Sequence, residues 1–454
     1  MNVTSGRNDG DVSRPEEAGC IFCATIPGEA AIYDACLLPG QQSVVCSTAD
    51  AKIYVLALDS GRGPGADCID GDREAVEEPY GRVRMVLVGH EDMVTTLALS
   101  PDGQRLLSGS LDMTVRVWDL GPSAGHAGRL APRSTLEGHT SRINCLRWTP
   151  CGSAAISSST DSTLRLWDVS KGVCLCEMKG HGSLVSSIDI SKDGKICASA
   201  SGDAVCKLWG ILGAGDGDSR SQLQSPSSSP AELMDDIAWE SGPVVLCQFL
   251  DYASHGEYLL TAHAQLVQQQ ARILLWDIFD KESGWVDGRL RAPCYAIDDL
   301  RGCPTCMDTV HVRGGEFEGT VLLACACSDG KVHLWDVDEC PVKLGTYSLE
   351  EPGYSTPKDL PAWSVGHLRH AANRLNIVAF SPSGTYLAAT RSDSGSIIVW
   401  EVDEGEVACQ FYGHLRPIRR LLWISDYKLI SFSEDGTVRG WSIIDADDES
   451  VVVE

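Results

Sequence analysis

GHEDMVTTLALSPDGQRLLSGSLDMTVRVWD, residues 89–119, decides the fold of this chain. It opens on Gly89-His90, reaches Asp112 22 residues after the histidine, and closes on Trp118-Asp119. The same frame returns as Gly138-His139, Asp161, Trp167; as Gly180-His181, Asp203, Trp209; and as Gly413-His414, Asp435, Trp441. The His-to-Asp distance is 22 residues in the first three copies and 21 in the last, and Asp to Trp is six in all four. A fixed internal period of this size marks one supersecondary unit laid down repeatedly. Within residues 86–120 the apolar runs 86–88, 94–99, 105–110 and 114–120 are broken by turn residues, the pattern of short strands. Ser100-Pro101-Asp102-Gly103 is a tight turn, and its chemistry recurs at Thr149-Pro150-Cys151-Gly152, Ser191-Lys192-Asp193-Gly194 and Ser381-Pro382-Ser383-Gly384.

Four residues before each repeat Asp stands a serine: Ser108, Ser157, Ser199 and Ser431. A hydroxyl, an imidazole, a carboxylate and an indole N–H therefore recur in register. Buried polar groups are costly unless they satisfy one another. A His–Ser–Asp–Trp hydrogen-bond chain inside each sheet would do so, tying the outer strand to the inner ones.

With Gly-His, Ser, Asp and the Trp-Asp pairs Trp118-Asp119 and Trp167-Asp168, the chain resembles the WD-repeat β-propeller family. That resemblance implies an all-β fold of four-stranded blades around a channel. Weaker copies extend the series. Asp329 and Trp335-Asp336 close a unit with Cys325 in place of Ser. Trp276-Asp277 closes another, in which Gln270 stands six before the Trp. Gly366-His367 and Trp400-Glu401 bracket a third, with Ser394 at the aligned Asp position and Asp393 beside it. Residues 29–59 keep Asp50 but carry Leu56 for Trp and Cys46 for Ser. These weaker copies are expected to keep the blade shape with poorer internal hydrogen bonding.

The count predicts a single eight-bladed propeller over 19–443, with units near 29–59, 86–120, 136–170, 178–210, 243–278, 304–338, 366–402 and 413–443. The apolar stretch 20–26 is placed to pair with the last strand and close the ring, removing open sheet edges. Seven blades is the alternative, should the first unit pack elsewhere. Residues 1–18 read as a disordered N-terminus, 212–237 as a flexible Gly/Ser/Pro-rich insertion, and 444–454 as an acidic tail. Insertions at 60–82, 121–134, 212–237, 279–293 and 339–360 all follow a Trp-bearing strand, so they share one face. The Gly-His junctions and Asp turns share the other, the top.

The net charge of -26 argues against nucleic acid and anionic membranes and permits basic partners. No stretch approaches the roughly 18 to 20 apolar residues of a membrane span. Residues 1–18 lack the pattern of a secretory signal, and the 19 cysteines then read mostly as reduced, buried small hydrophobes. Cytoplasm or nucleus is the expected compartment. Acidic residues at 60–78 and in the tail, and Ser225-Pro226 and Ser229-Pro230, mark sites for basic partners or proline-directed phosphorylation, set against plain solvated loops.

On the top face, Arg369, His370 and Arg374 follow one Gly-His, and Arg416, Arg419 and Arg420 follow the next. In so acidic a chain this cluster is a candidate partner-binding site for an anion or acidic peptide. The competing reading pairs these arginines with acids on their own blades, and strand alternation sends either Arg419 or Arg420 into the packing.

Cys20-x-x-Cys23 on a strand would point its thiols to opposite faces, and Cys303-x-x-Cys306 has no second pair nearby, so no metal site is expected. The His, Ser and Asp of the repeats echo a hydrolase triad but recur in register and in expected burial. No phosphate-binding loop is present, and no cofactor or small-molecule substrate is implied. The resemblance implies a non-catalytic scaffold or adaptor that binds other proteins within a complex. An acidic carrier for a basic client, such as a histone or ribosomal protein, is the alternative. A ubiquitin-ligase substrate receptor is a further one, made less apt because Trp118-Asp119-Leu120-Gly121, Trp167-Asp168-Val169-Ser170 and Trp335-Asp336-Val337-Asp338 lack the Arg of Trp-Asp-x-Arg.

Overall fold

A computed structural model describes residues 20–40, 42–58, 82–121, 128–211, 230–238, 242–252, 256–264, 270–278, 285–286, 289–290, 293–313, 315, 317–337, 342–348, 377–391 and 395–443. Every long element among them is a strand, and the strands form eight blades of antiparallel sheet. The third blade shows the construction. Ile143–Trp148 is the inner strand, followed outward by Ala154–Ser159, Leu164–Asp168 and Val173–Met178. Second strands are buried on both faces, as in Ala154–Ser159, so they carry small and β-branched residues without polar alternation. Outer strands are mostly half-exposed.

The eight-bladed expectation holds, and the first unit does not pack elsewhere. Ile32–Leu37, Ser43–Thr48, Lys52–Ala57 and Val83–Val88 make a full blade. A fifth strand, Arg129–Leu130, leaves the second blade and pairs in parallel with Val86 and Leu87 at its outer edge. The ring closes as the sequence implies. Cys20–Thr25 pairs antiparallel with Thr437–Ser442, so chain start and chain end share the eighth blade.

The core lies between blades rather than within one. Eight apolar clusters each draw from two neighbours, and together they run once around the ring. Each tryptophan of the repeat leans on the blade before its own: Trp118 packs with Val45 and Ile53, and Trp167 with Leu107 and Val117. Leu56 fills that role at the closing junction, beside Phe22 and Ile430. Polar stitches bind the inner strands. The backbone N–H groups of Leu97, Phe249 and Phe380 donate to Asp34, Asp189 and Asp308 of preceding blades at 2.9, 2.8 and 2.8 Å.

Several sequence boundaries shift. The expected insertion 212–237 ends in the outer strand Ala231–Ala238, and 339–360 contains the outer strand Val342–Ser348. In both, the strand is less apolar than its neighbours because an outer edge faces solvent on more sides. The strand expected over 86–88 extends to Val83–Val88. Gln270 does not occupy a turn: it lies in the strand Gln270–Asp277, because the hairpin before it is longer than in the other blades. Cysteines are less uniformly buried than expected. Cys46, Cys197, Cys206, Cys247, Cys325 and Cys327 are buried, Cys23, Cys151 and Cys294 are exposed, and the other described ones are half-buried. The expected N-terminal, 60–78 and C-terminal acidic segments, and Ser225-Pro226 and Ser229, lie outside the described residues.

Closure depends on one close approach. A Cβ on Gly440 would sit 2.1 Å from the Phe22 ring of the closing strand. Gly440→Ala is expected to lower stability by about 1–3 kcal/mol through overpacking, and Phe22→Leu in that background to restore part of it. Thermal melting of the single and double variants checks this. Equal melting of Gly440→Ala and the parent would contradict the seating of the closing strand.

Candidate functional site

The recurring polar residues meet inside four blades. In the third, Trp167 Nε1 donates to Ser157 Oγ at 2.8 Å, Ser157 lies 2.8 Å from His139 Nε2, and His139 Nδ1 lies 2.8 Å from Asp161. The second blade repeats it through Trp118, Ser108, His90 and Asp112, and the fourth through Trp209, Ser199, His181 and Asp203. In the eighth, Trp441, Ser431, His414 and Asp435 form the same chain, with 3.2 Å between His414 and Asp435.

The carboxylate fixes the tautomer. An ionised aspartate only accepts, so the proton of the neutral ring sits on Nδ1, facing it. Nε2 is then bare, and the serine, which accepts from the indole, donates to it. Each Asp also accepts the N–H following the histidine, at Glu91, Thr140, Gly182 and Leu415. This arrangement shares its connectivity with a hydrolase triad, but the four serines are 0% exposed and already bound to tryptophan. A nucleophile so placed cannot reach a substrate.

Electrostatics agrees with a neutral ring. Burial pulls His139, His181 and His414 below the usual imidazole pKa, against the raising influence of their aspartates. Burial pushes Asp161 up, but hydrogen bonds from Thr163, the Thr140 N–H and His139 outweigh it and hold the carboxyl at about 2. Asp112, Asp203 and Asp435 are lowered by the same kinds of bond.

Two features escape the spacing argument. The first explains the glycine of Gly-His. Arg165, two residues before Trp167, runs under Gly138, where a Cβ would meet its guanidinium at 2.6 Å. Arg116, Lys207 and Arg439 lie likewise beside Gly89, Gly180 and Gly413. Gly138, Gly180 and Gly413 also adopt φ of 149, 145 and 152°, values that side chains disfavour. A basic residue two before each of these tryptophans was the available signal. The second is in the fifth blade, which was expected to be poorly bonded. Trp276 Nε1 donates to Thr261 at 2.8 Å, and Thr261 lies 2.9 Å from His263 Nε2. The relay is rebuilt from one strand. First-blade Asp50 likewise gathers Thr48, Lys52 and Tyr54.

The basic cluster is only partly in view. Arg369, His370 and Arg374, with Gly366-His367, Asp393 and Ser394, lie outside the described residues. Arg416 is exposed on the top face beside Leu415, which is 90% exposed. Arg419 packs inward, pairing with Glu434 of its own blade and lying over Tyr33. Arg420 takes the opposite side of the inner strand. It faces the channel 3.7 Å from Asp34, and its charge reaches Asp308 two blades away. The structure therefore separates the three described arginines: one on the top, one in the packing, one in the channel. No group of His, Cys, Asp and Glu among the described residues has metal-site geometry.

Two predictions follow from the relay. Thr261→Val should leave the Trp276 N–H unsatisfied and lower stability by about 1–3 kcal/mol, read by denaturant unfolding. An unchanged midpoint would show that the fifth blade does not use this bond. The second concerns pH. A histidine with a depressed folded pKa lets the unfolded chain bind more protons, so stability falls as pH drops below about 6.5. The depressed carboxylates hold stability above about 4 and lose it as pH falls toward their folded values. Asp308 acts in the opposite sense. Burial raises it to about 6 against N–H bonds from Phe380 and Thr309, so its contribution is lost as pH rises toward that value. The three histidines and four aspartates outnumber it. The melting temperature should be level between pH ~7 and ~8, above which the buried thiols with raised pKa lower it; it should decline below ~6.5 and drop more steeply below ~4. A flat profile from neutrality to pH ~4 would contradict the neutral-imidazole relay.

Comparison with known proteins accords with this geometry. The family described as WD domain, G-beta repeat matches residues 81–119, 130–168, 172–210, 363–401 and 405–442. Rat WD repeat-containing protein 18 is 35% identical over 105 residues, covering 20% of this chain and 22% of that protein. WD repeat-containing protein VIP3 of Arabidopsis thaliana is 34% identical over 115 residues, 25% of this chain and 33% of its own. The SIR4-interacting protein SIF2 of Saccharomyces cerevisiae is 35% identical over 69 residues, 15% and 13%. The chain thus spans a third or less of these relatives' lengths. Among solved structures, the computationally designed Ika8 protein aligns with a TM-score of 0.61 over 94% of this chain and 99% of its own, at 18% identity, which shows a shared fold.

Proposed function

We propose that this chain, a member of the WD-repeat β-propeller family, is a non-catalytic scaffold or adaptor that holds other proteins in a complex. The family is generally one of protein-interaction domains. The observation that carries the reading is the fate of the chemistry-bearing residues: the recurring His, Ser and Asp are consumed by one another inside the blades. Surface contact is then the activity such a ring offers. Similarity to SIF2, a SIR4-interacting protein, supports a protein partner as the ligand class. The cysteine content, with six thiols buried in the sheets, suits a reducing setting, cytoplasm or nucleus.

The net charge of -26 favours a second reading, an acidic carrier for a basic client. The two differ in salt response. A carrier's affinity falls steeply with ionic strength, whereas an adaptor with packed apolar contacts keeps its partner.

Affinity purification of the tagged full chain, with partner identification at low and raised salt, tests both. The adaptor reading expects partner proteins retained at raised salt. Replacing Arg369, Arg374 and Arg416 together by Ser should leave melting unchanged and reduce recovery of one partner. Recovery of the chain alone under all conditions would overturn both readings. Unaltered recovery by the triple variant would remove these three arginines from the account.

A further inference from the structure

The repeated architecture permits a comparison between junctions. Near the loop-bearing end of the third blade's inner strand, Trp148 donates its indole N–H to Ala98 O of the second blade at 2.9 Å. The guanidinium of Arg105, the first residue of that blade's second strand, lies over the Trp148 ring, 5.0 Å from its centroid. The seventh and eighth blades meet in the same way. Trp423 donates to Ala379 O at 3.0 Å, and Tyr386 begins the strand equivalent to that of Arg105. An aromatic ring has replaced the cation.

The exchange leaves an aromatic cluster open to solvent. Tyr386 and Trp423 stack with centroids 6.5 Å apart and planes at 18°, and Tyr427 meets Tyr386 at 6.1 Å and 64°. Tyr427 sits on the turn of the eighth blade and is 48% exposed. Carboxylates rim the cluster. Glu401 pairs across the strands with Tyr386, Asp426 precedes Tyr427, and the next turn adds the exposed Glu404 and Glu406. Burial raises the Tyr386 phenol, and the charges of Glu401 and Asp426 raise it further, which places both within electrostatic reach. Among the described residues, Arg313 and Lys428 are the cations of this sector, outnumbered by these four acids.

Aromatic faces carry partial negative charge, and cations lie on them favourably, more so beside carboxylates. We propose that this sector, on the loop-bearing face at the seventh and eighth blades, binds a basic peptide segment of a partner protein. Its arginine or lysine side chains lie on the exposed Tyr427 ring between Glu401, Glu404 and Asp426. At the other junction the ring's own Arg105 serves its tryptophan; here Tyr386 covers the tryptophan and the cation comes from outside, onto Tyr427. Charge complementarity selects the occupant, because a chain of net charge -26 repels nucleic acid and acidic peptides from this rim. The inference rests on the scaffold reading and gives it a specific surface, distinct from Arg416 on the top face.

The test uses the full chain and a fluorescently labelled arginine–glycine repeat peptide, with binding followed by anisotropy at low and raised salt. Tyr427→Ala keeps every charge and removes one exposed ring; it should weaken binding about two- to fivefold. Glu404→Gln with Glu406→Gln should weaken it further and flatten the salt dependence. Tyr412→Ala, beside Gly413-His414 on the opposite face and also exposed, should bind as the parent does. Melting curves of all variants should coincide. Parent-like binding by Tyr427→Ala, equal loss in Tyr412→Ala, or no binding by the parent chain would each overturn the proposal. Partner recovery in the affinity purification is independent of this probe, so the scaffold reading can survive its failure.

Discussion

In five of the eight blades the tryptophan is held from two sides. Inside the blade, the indole N–H is bound by a serine or threonine hydroxyl, as Trp167 is by Ser157 and Trp276 by Thr261. Outside it, the ring packs against the preceding blade. The hydrogen bond sets the rotamer, and the rotamer decides whether the apolar face meets its neighbour. A buried indole without an acceptor would bear the cost of an unsatisfied donor, and a misplaced one would open a void between blades. Polar satisfaction within a sheet and apolar packing between sheets are thus the same event. The histidine and aspartate extend the chain to the top, where the carboxylate also caps the N–H after Gly-His. One relay therefore spans from the inter-blade core to the surface turn.

This coupling explains what could be read from the sequence. The four full repeats were legible because the hairpin between the serine and the tryptophan has constant length, so Ser to Trp is ten residues in each. The fifth blade was not. Its serine equivalent, Thr261, is 15 residues before Trp276, and its histidine comes from the same strand rather than from a Gly-His junction. Both departures preserve the contact while destroying the spacing. Ring closure was legible because an apolar stretch with no partner of its own must find an edge. The arginine cluster was legible only as composition. Arg419 and Arg420 are adjacent in sequence, but their partners, Glu434 and Asp34, come from the same blade and from the other end of the chain.

The glycine of Gly-His shows a different limit. It is conspicuous in the sequence, yet its reason lies in a long cation two residues before the tryptophan. Arg165 runs to Glu177 on the outer strand, and Lys207 to Asp236, passing under the glycine on the way. Such a cation braces the third and outer strands while the histidine braces the others. A residue can therefore be diagnostic of a repeat without carrying the interaction that requires it.

The same reasoning locates where the ring is free to vary. Blades two, three, four and eight keep the full relay, and the closing first blade replaces it with a carboxylate gathering three side chains. Cys325 and Ala389 stand at the serine positions of the sixth and seventh blades, so the relay hydroxyl is missing there; Trp335 stacks on His333, and both Trp335 and Trp400 pack against apolar neighbours. The seventh blade abuts the fully bonded eighth, which fixes Trp423 from one side while the seventh presents Tyr386 from the other. A rigid aromatic ring on the face that the relay does not reach is a favourable place for a surface to acquire a binding role, because the backbone beneath it is already set and the residues around it are not needed for closure.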